Sequence, residues 1–221
     1  MRTRTILSLI ILLAFAGPAL AQSTELGAER QAQLDAKPDD LTRIELLNTW
    51  IAATPNDAAL HFALGNANFD AKQYSEAVVA YRKVIELAPE TLGAHVNLGS
   101  VYDEMGRLDD AIASYKKALE IDPDEDRTLN NIGNVYFKKR QYEQAIEYFG
   151  KAIAVNPKSQ LAHYNLAILF ADSGIYREAI NEWEKVVAID PDTDLGSRSR
   201  DNIEIVRQMM TADVPELGGD R

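Results

Sequence analysis

Three histidines, His61, His95 and His163, are the first residues in the chain to suggest a metal or a general base. Each stands three residues before a leucine (Leu64, Leu98 and Leu166), so elements that repeat along the chain carry them whole repeats apart. They form no i, i+4 pair of the kind that places two imidazoles on one metal from a single helix. The spacing therefore predicts half-buried structural rings and no metal requirement. There is no cysteine, which removes disulfides, thiolate metal sites and Cys nucleophiles. Carboxylates are densest at Asp109–Asp110 and from Asp122 to Asp126, without the ligand spacing of an EF-hand. Acids at these places suit helix N-termini, where the dipole favours negative charge. No phosphate loop, Gly-x-Ser-x-Gly elbow or His-Glu-x-x-His motif occurs, so no catalytic residue and no cofactor is expected. A different chemistry is open to the asparagines. Asn97, Asn131 and Asn165 recur at one place, where the preceding repeat has Ala63, and three positions later the chain reads Asn66, Ser100, Asn134 and Ile168. A carboxamide both donates and accepts, so it can pair with a peptide backbone whatever the partner's side chains are.

The elements that must position these residues are legible as a repeat. Pro55, Pro89, Pro123, Pro157 and Pro191 recur every 34 residues and delimit units at 58–91, 92–125, 126–159 and 160–193. In the second unit Leu98, Val101, Tyr102 and Met105 form one apolar stripe at helical spacing, and Leu108, Ala111, Ile112, Tyr115, Ala118 and Leu119 form another. Each unit thus predicts two helices. Gly106 suits a left-handed turn between them, and Pro123 stops the second from running on. Small Gly99 and Ala111 allow a close approach of the pair, with Tyr102 and Tyr115 beside it. Lys72 and Arg140 stand where the second and fourth units have Gly106 and Gly174. A single hairpin cannot bury both of its faces, so neighbours must stack.

With its Leu-Gly pair, Tyr102, Ala111, Ala118 and Pro123, the unit resembles the tetratricopeptide repeat, a family with a 34-residue period. It departs at the family's leading Trp, which reads His61, His95, Leu129 and His163, and at the Tyr place of the first unit, which holds Asn68. The resemblance implies an all-α fold, a right-handed superhelical solenoid of stacked antiparallel hairpins with capping helices at both ends. It also implies that the first helix of each unit lines a concave groove, where the recurrent Asn contacts extended peptides. The expected groove residues are Phe62, Asn66, Phe69, Asn97, Ser100, Arg127, Asn131, Asn134, Phe137, Tyr164 and Asn165. The carboxylate clamp of heat-shock co-chaperones is matched only at Asn66, Asn97 and Arg127. Phe62 and Asn131 stand where that clamp has basic residues, which removes most of the attraction for a carboxylate.

Length and composition bound the partners. A chain of 221 residues with 46% hydrophobic and 26% charged residues suffices for one extended core. Residues 1–21 combine Arg2 and Arg4, an apolar run from Ile6 to Phe15 and an Ala19-Leu20-Ala21 ending, the pattern of a secretory signal peptide cleaved after Ala21. The run is short for a span and Gly17-Pro18 breaks it, so no stable membrane anchor should remain and a periplasmic or secreted protein is expected. Cleavage removes two of 23 basic residues and none of 34 acidic ones, moving the formal charge from −11 to −13. That balance disfavours nucleic acid and anionic membrane surfaces. Residues 22–57 read as a degenerate repeat or capping helices, with a helix from Leu41 to Ala53 and a weaker one before Pro38. Residues 194–210 read as a C-terminal capping helix, with Ile203, Val206 and Met210 on one side, and 211–221 as a disordered tail. The expected function is a non-enzymatic scaffold that holds a protein or peptide partner in the groove and aids assembly of an envelope or secretion complex. The alternative is a structural protein whose groove accepts a segment of another copy, giving a homo-oligomer.

Overall fold

The computed structural model describes residues 25–37 and 39–212, and every regular element among them is an α-helix. In chain order these are α1 (Ala28–Asp35), α2 (Asp40–Ala53), α3 (Ala58–Asp70), α4 (Tyr74–Leu87), α5 (Leu92–Glu104), α6 (Leu108–Ile121), α7 (Asp126–Lys138), α8 (Tyr142–Val155), α9 (Gln160–Asp172), α10 (Tyr176–Ile189) and α11 (Asp194–Ala212). The signal peptide expected at 1–21 lies outside the described residues, as do 213–221 of the tail expected from 211, whose first two residues instead continue α11. Helices α3 to α10 pair as four antiparallel hairpins, each packed on the next, with α1 and α2 at one end and α11 at the other. The architecture is the stacked-hairpin solenoid that the repeat implied.

Local chemistry sets the helix limits. Each second helix ends at a residue that precedes proline, Ala88, Asp122, Asn156 or Asp190, and all four have left the helical conformation. The Asp57 side chain accepts from the backbone N–H groups of Ala59 and Leu60 at the start of α3, and Glu125 accepts from Thr128 at the start of α7. These caps satisfy donors that have no partner within the helix.

All four hairpin turns share one hydrogen-bond pattern. The N–H of Gln73, Arg107, Gln141 and Ile175 reaches back to the carbonyl of Asn68, Tyr102, Tyr136 and Phe170 respectively, at 2.7 to 2.9 Å. The residue before each donor has positive φ: 59° at Lys72, 71° at Gly106, 57° at Arg140 and 73° at Gly174. This is the left-handed termination in which glycine avoids a side-chain clash. Lys72→Gly and Arg140→Gly should each raise stability by about 1 kcal/mol, read as higher denaturation midpoints. Unchanged midpoints in both would remove strain at these turns from the account.

The hairpins close through small residues. A Cβ added at Gly65, Gly99 or Gly133 would lie 2.6 Å from a ring atom of Tyr81, Tyr115 or Phe149, respectively. Ala77, Ala111, Ala145 and Ala179, at one place on successive second helices, have no exposed surface. One core cluster runs through three units, from Ala77 and Tyr81 through Val101 and Tyr115 to Ile132 and Val135. This continuity is what stacking requires, since no unit closes its own core. At the N-terminal end Leu47 is fully buried against Leu34 and Leu60. At the other end Ile203 and Val206 of α11 pack on Trp183 and Tyr164.

Candidate functional site

The first helices carry the expected groove residues, and the structure divides those residues into three groups. The first is an amide pair on neighbouring helices. Tyr81 O–H donates to Asn66 Oδ1 at 2.6 Å, and Asn97 Nδ2 donates to the same oxygen at 3.1 Å and approaches the Tyr81 oxygen at 3.3 Å. Burial, the largest influence, raises the Tyr81 pKa; the Asn97 hydrogen bond opposes it and nearby Asp70 adds to it. Tyr81 therefore stays a neutral donor, and Asn66 Oδ1 is saturated. What remains is the Asn66 amino group and Asn97 Oδ1, a donor and an acceptor on neighbouring helices without hydrogen-bond partners among the described residues. In the next unit Ser100 Oγ donates to the Val96 carbonyl at 3.2 Å and lies 3.1 Å from Tyr115 Oη. Burial raises the Tyr115 hydroxyl to about 12 against the Ser100 hydrogen bond, with Asp103 and Glu104 adding to the rise.

The second group is Asn131 and Asn134 on α7. Both are partly exposed, and neither amide makes a side-chain hydrogen bond among the described residues. Arg127, near the start of the same helix, is exposed. Phe69 and Phe137 are half-buried, with ring centroids 5.9 Å from Tyr74 and 5.8 Å from Tyr142. Phe62 packs edge-on to Tyr81 at 5.8 Å and lies beneath Gly93 at the start of α5, so much of its surface is spent inside the stack.

The third group is engaged by neighbouring helices. Asn165 Nδ2 donates to Asn130 Oδ1 at 3.0 Å, and Asn130 is buried, so this amide serves the α7–α9 contact. Tyr164 is 7% exposed where a projecting ring was expected. Helix α11 covers it: Arg198 lies 5.2 Å from the ring centroid, and Asn202 Nδ2 donates to the hydroxyl at 3.4 Å.

The histidines have a common structural task that spacing alone did not reveal. Nε2 of His61 and His95 donates to the carbonyl of Pro55 and Pro89, both at 2.9 Å, and Nε2 of His163 lies 3.2 Å from the Pro157 carbonyl. Each ring thereby ties its helix to the turn that leads into it. His163 is more buried than the half-buried ring expected, at 4% exposure, and its Nδ1 meets Glu182 Oε2 at 2.6 Å. Glu182 Oε1 accepts from Lys185 Nζ at 2.6 Å. Burial pushes the Glu182 carboxyl up, but hydrogen bonds from His163 and Lys185 outweigh it and hold the carboxyl below its ordinary range. Among the described residues no three metal-binding side chains converge, and no helix is long and apolar enough to cross a membrane.

Comparison with known proteins agrees with this geometry. Residues 65–106 and 99–140 match a family model described as TPR repeat, and residues 127–159 match one described as tetratricopeptide repeat. The chain is similar to the crystal structure of MamA, with 20% identity, a TM-score of 0.63, and coverage of 73% of this chain and 91% of that one. It is similar also to MamA 41-end from Desulfovibrio magneticus RS-1, with 22% identity, a TM-score of 0.67, and coverage of 75% and 93%. A third similar structure is YrrB, described as a TPR protein with an unusual peptide-binding site, with 17% identity, a TM-score of 0.61, and coverage of 78% and 86%. At these identities the likeness shows the fold. No curated protein matches the chain.

Proposed function

We propose that this array of tetratricopeptide repeats is a non-enzymatic scaffold that holds an extended segment of a partner protein along α3, α5 and α7. The observation that carries this reading is the amide pair. Asn66 offers N–H and Asn97, hydrogen-bonded to it, offers C=O, the complement of the C=O and N–H that an extended chain displays. Asn131 and Asn134, one unit further on, extend the same chemistry, and Phe69 and Phe137 supply apolar surface beside them. The YrrB description adds that a peptide-binding site occurs on a similar fold. The pattern at residues 1–21 supports an exported protein, and the mature charge of −13 supports a protein partner over nucleic acid or an anionic membrane surface. Assembly of an envelope or secretion complex is the process this combination suits.

The test is a photocrosslinking footprint. Chain purified from the exported fraction, with an intact mass beginning at Gln22, is loaded with partners from the same fraction. Crosslinks should concentrate on α3, α5 and α7. A footprint confined to α4, α6 and α8 would overturn the groove assignment, and an intact mass that retains Met1 would overturn export with cleavage.

A further inference from the structure

Between α3 and α5 lies a pocket of about 340 Å³ lined by Asn66, Phe69, Asp70, Tyr81, Asn97 and Ser100. We propose that this pocket takes an arginine or lysine side chain of the bound segment, an inference that rests on the groove reading and names the partner's chemistry. Its one charged lining residue is Asp70, which is exposed and makes no hydrogen bond or ion pair among the described residues. Asp103, which stands one unit on in the register of Phe69, is by contrast bound by Lys138 Nζ at 2.7 and 2.8 Å. Asp70 thus presents an unneutralised carboxylate to whatever enters.

The remaining lining groups select among side chains in the same direction. Phe69 offers a ring on which a guanidinium or an aliphatic stem can lie. Asn97 Oδ1 is an unengaged acceptor, and Tyr81, kept neutral by burial, brings no second negative charge. A carboxylate side chain would face Asp70 and be repelled, and a purely aliphatic one would leave Asp70 without a partner. With five donors in a plane, arginine can meet Asp70 while stacking on Phe69, which lysine does less well. The adjacent Asn66 and Asn97 amides then take the backbone of the same residue, so one contact reads the main chain and the other reads the charge.

The experiment titrates the isotope-labelled mature chain with three blocked pentapeptides, acetyl-Ala-Ala-Xaa-Ala-Ala-amide, in which Xaa is arginine, norleucine or glutamate, and follows backbone NMR signals. The arginine peptide should shift signals around Asp70 and Asn97 and bind about threefold more tightly than the norleucine peptide, with glutamate weakest. Asp70→Asn should abolish that preference while leaving the spectrum of the free protein intact elsewhere, and added salt should shrink it. Equal binding of all three peptides in the groove, or an unchanged preference in Asp70→Asn, overturns the charge inference and leaves the groove reading standing. No shift with any peptide at millimolar concentration overturns both.

Discussion

Trp183→Ala should lower stability by about 3–5 kcal/mol and melt one end of the molecule before the rest. Trp183 is the largest of the fully buried side chains, at 2% exposure, and it joins Tyr164, Ala167, Val186, Ile203 and Val206 in a cluster built from α9, α10 and α11. Removing it opens a cavity where the C-terminal cap packs on the array. Stability in a stacked array is close to a sum of unit and interface terms, so the loss stays local. The chain supplies its own reporters, because the only other tryptophan, Trp50, lies in the cluster at the opposite end. In the variant, far-ultraviolet circular dichroism should show an early loss of helix that Trp50 fluorescence does not follow. Coincident transitions would mean that the array melts as one unit and that the end-cap description is wrong.

Glu182→Gln should destabilise the protein by about 1–3 kcal/mol at neutral pH, and the difference should fade in acid. The carboxylate receives His163 and Lys185, and these bonds outweigh burial to hold its pKa below the ordinary value. A carboxyl lowered by folding contributes stability above its unfolded pKa of about 4.3, and that contribution is lost as pH falls through the lower folded value. The gap between wild type and variant should therefore be full at pH 7 and close progressively below about pH 4. A gap independent of pH would assign the effect to packing and remove the ion pair from the account.

The repeat was legible because it rests on residues whose physics is local. Proline pushes the residue before it out of the helical conformation, and the 34-residue beat of prolines marks where each of the four hairpins ends. Lys72 and Arg140 take the positive φ of Gly106 and Gly174, with which they align, because the turn is set by the pattern around it. Residues whose fate depends on a neighbouring unit were harder to read. Asn97, Asn131 and Asn165 share one register, yet Asn97 supports Asn66, Asn131 is unengaged, and Asn165 is drawn to Asn130. That last difference hangs on which residue precedes the column in the neighbouring unit: Asn130 stands where the first two units have Phe62 and Val96. Tyr164 was misread for a related reason. Its burial depends on where α11 lands, and α11 lies beyond the last repeat, where the period gives no guidance. The histidine bonds to Pro55, Pro89 and Pro157 span six residues at a constant offset, so a recurring His six places after each proline is the signal that could have found them.

That division of the asparagines changes which residues test the groove. Asn131 and Asn134 are the free amides, whereas Asn165→Ala strips a partner from buried Asn130 and confounds binding with folding. The decisive measurement is calorimetric titration of a crosslinked and identified partner segment against wild type and the Asn131→Ala, Asn134→Ala double variant. Each lost hydrogen bond should cost about 1 kcal/mol, so affinity should fall roughly thirtyfold while helicity and melting stay unchanged. Unchanged affinity in a folded double variant would contradict backbone recognition along the groove.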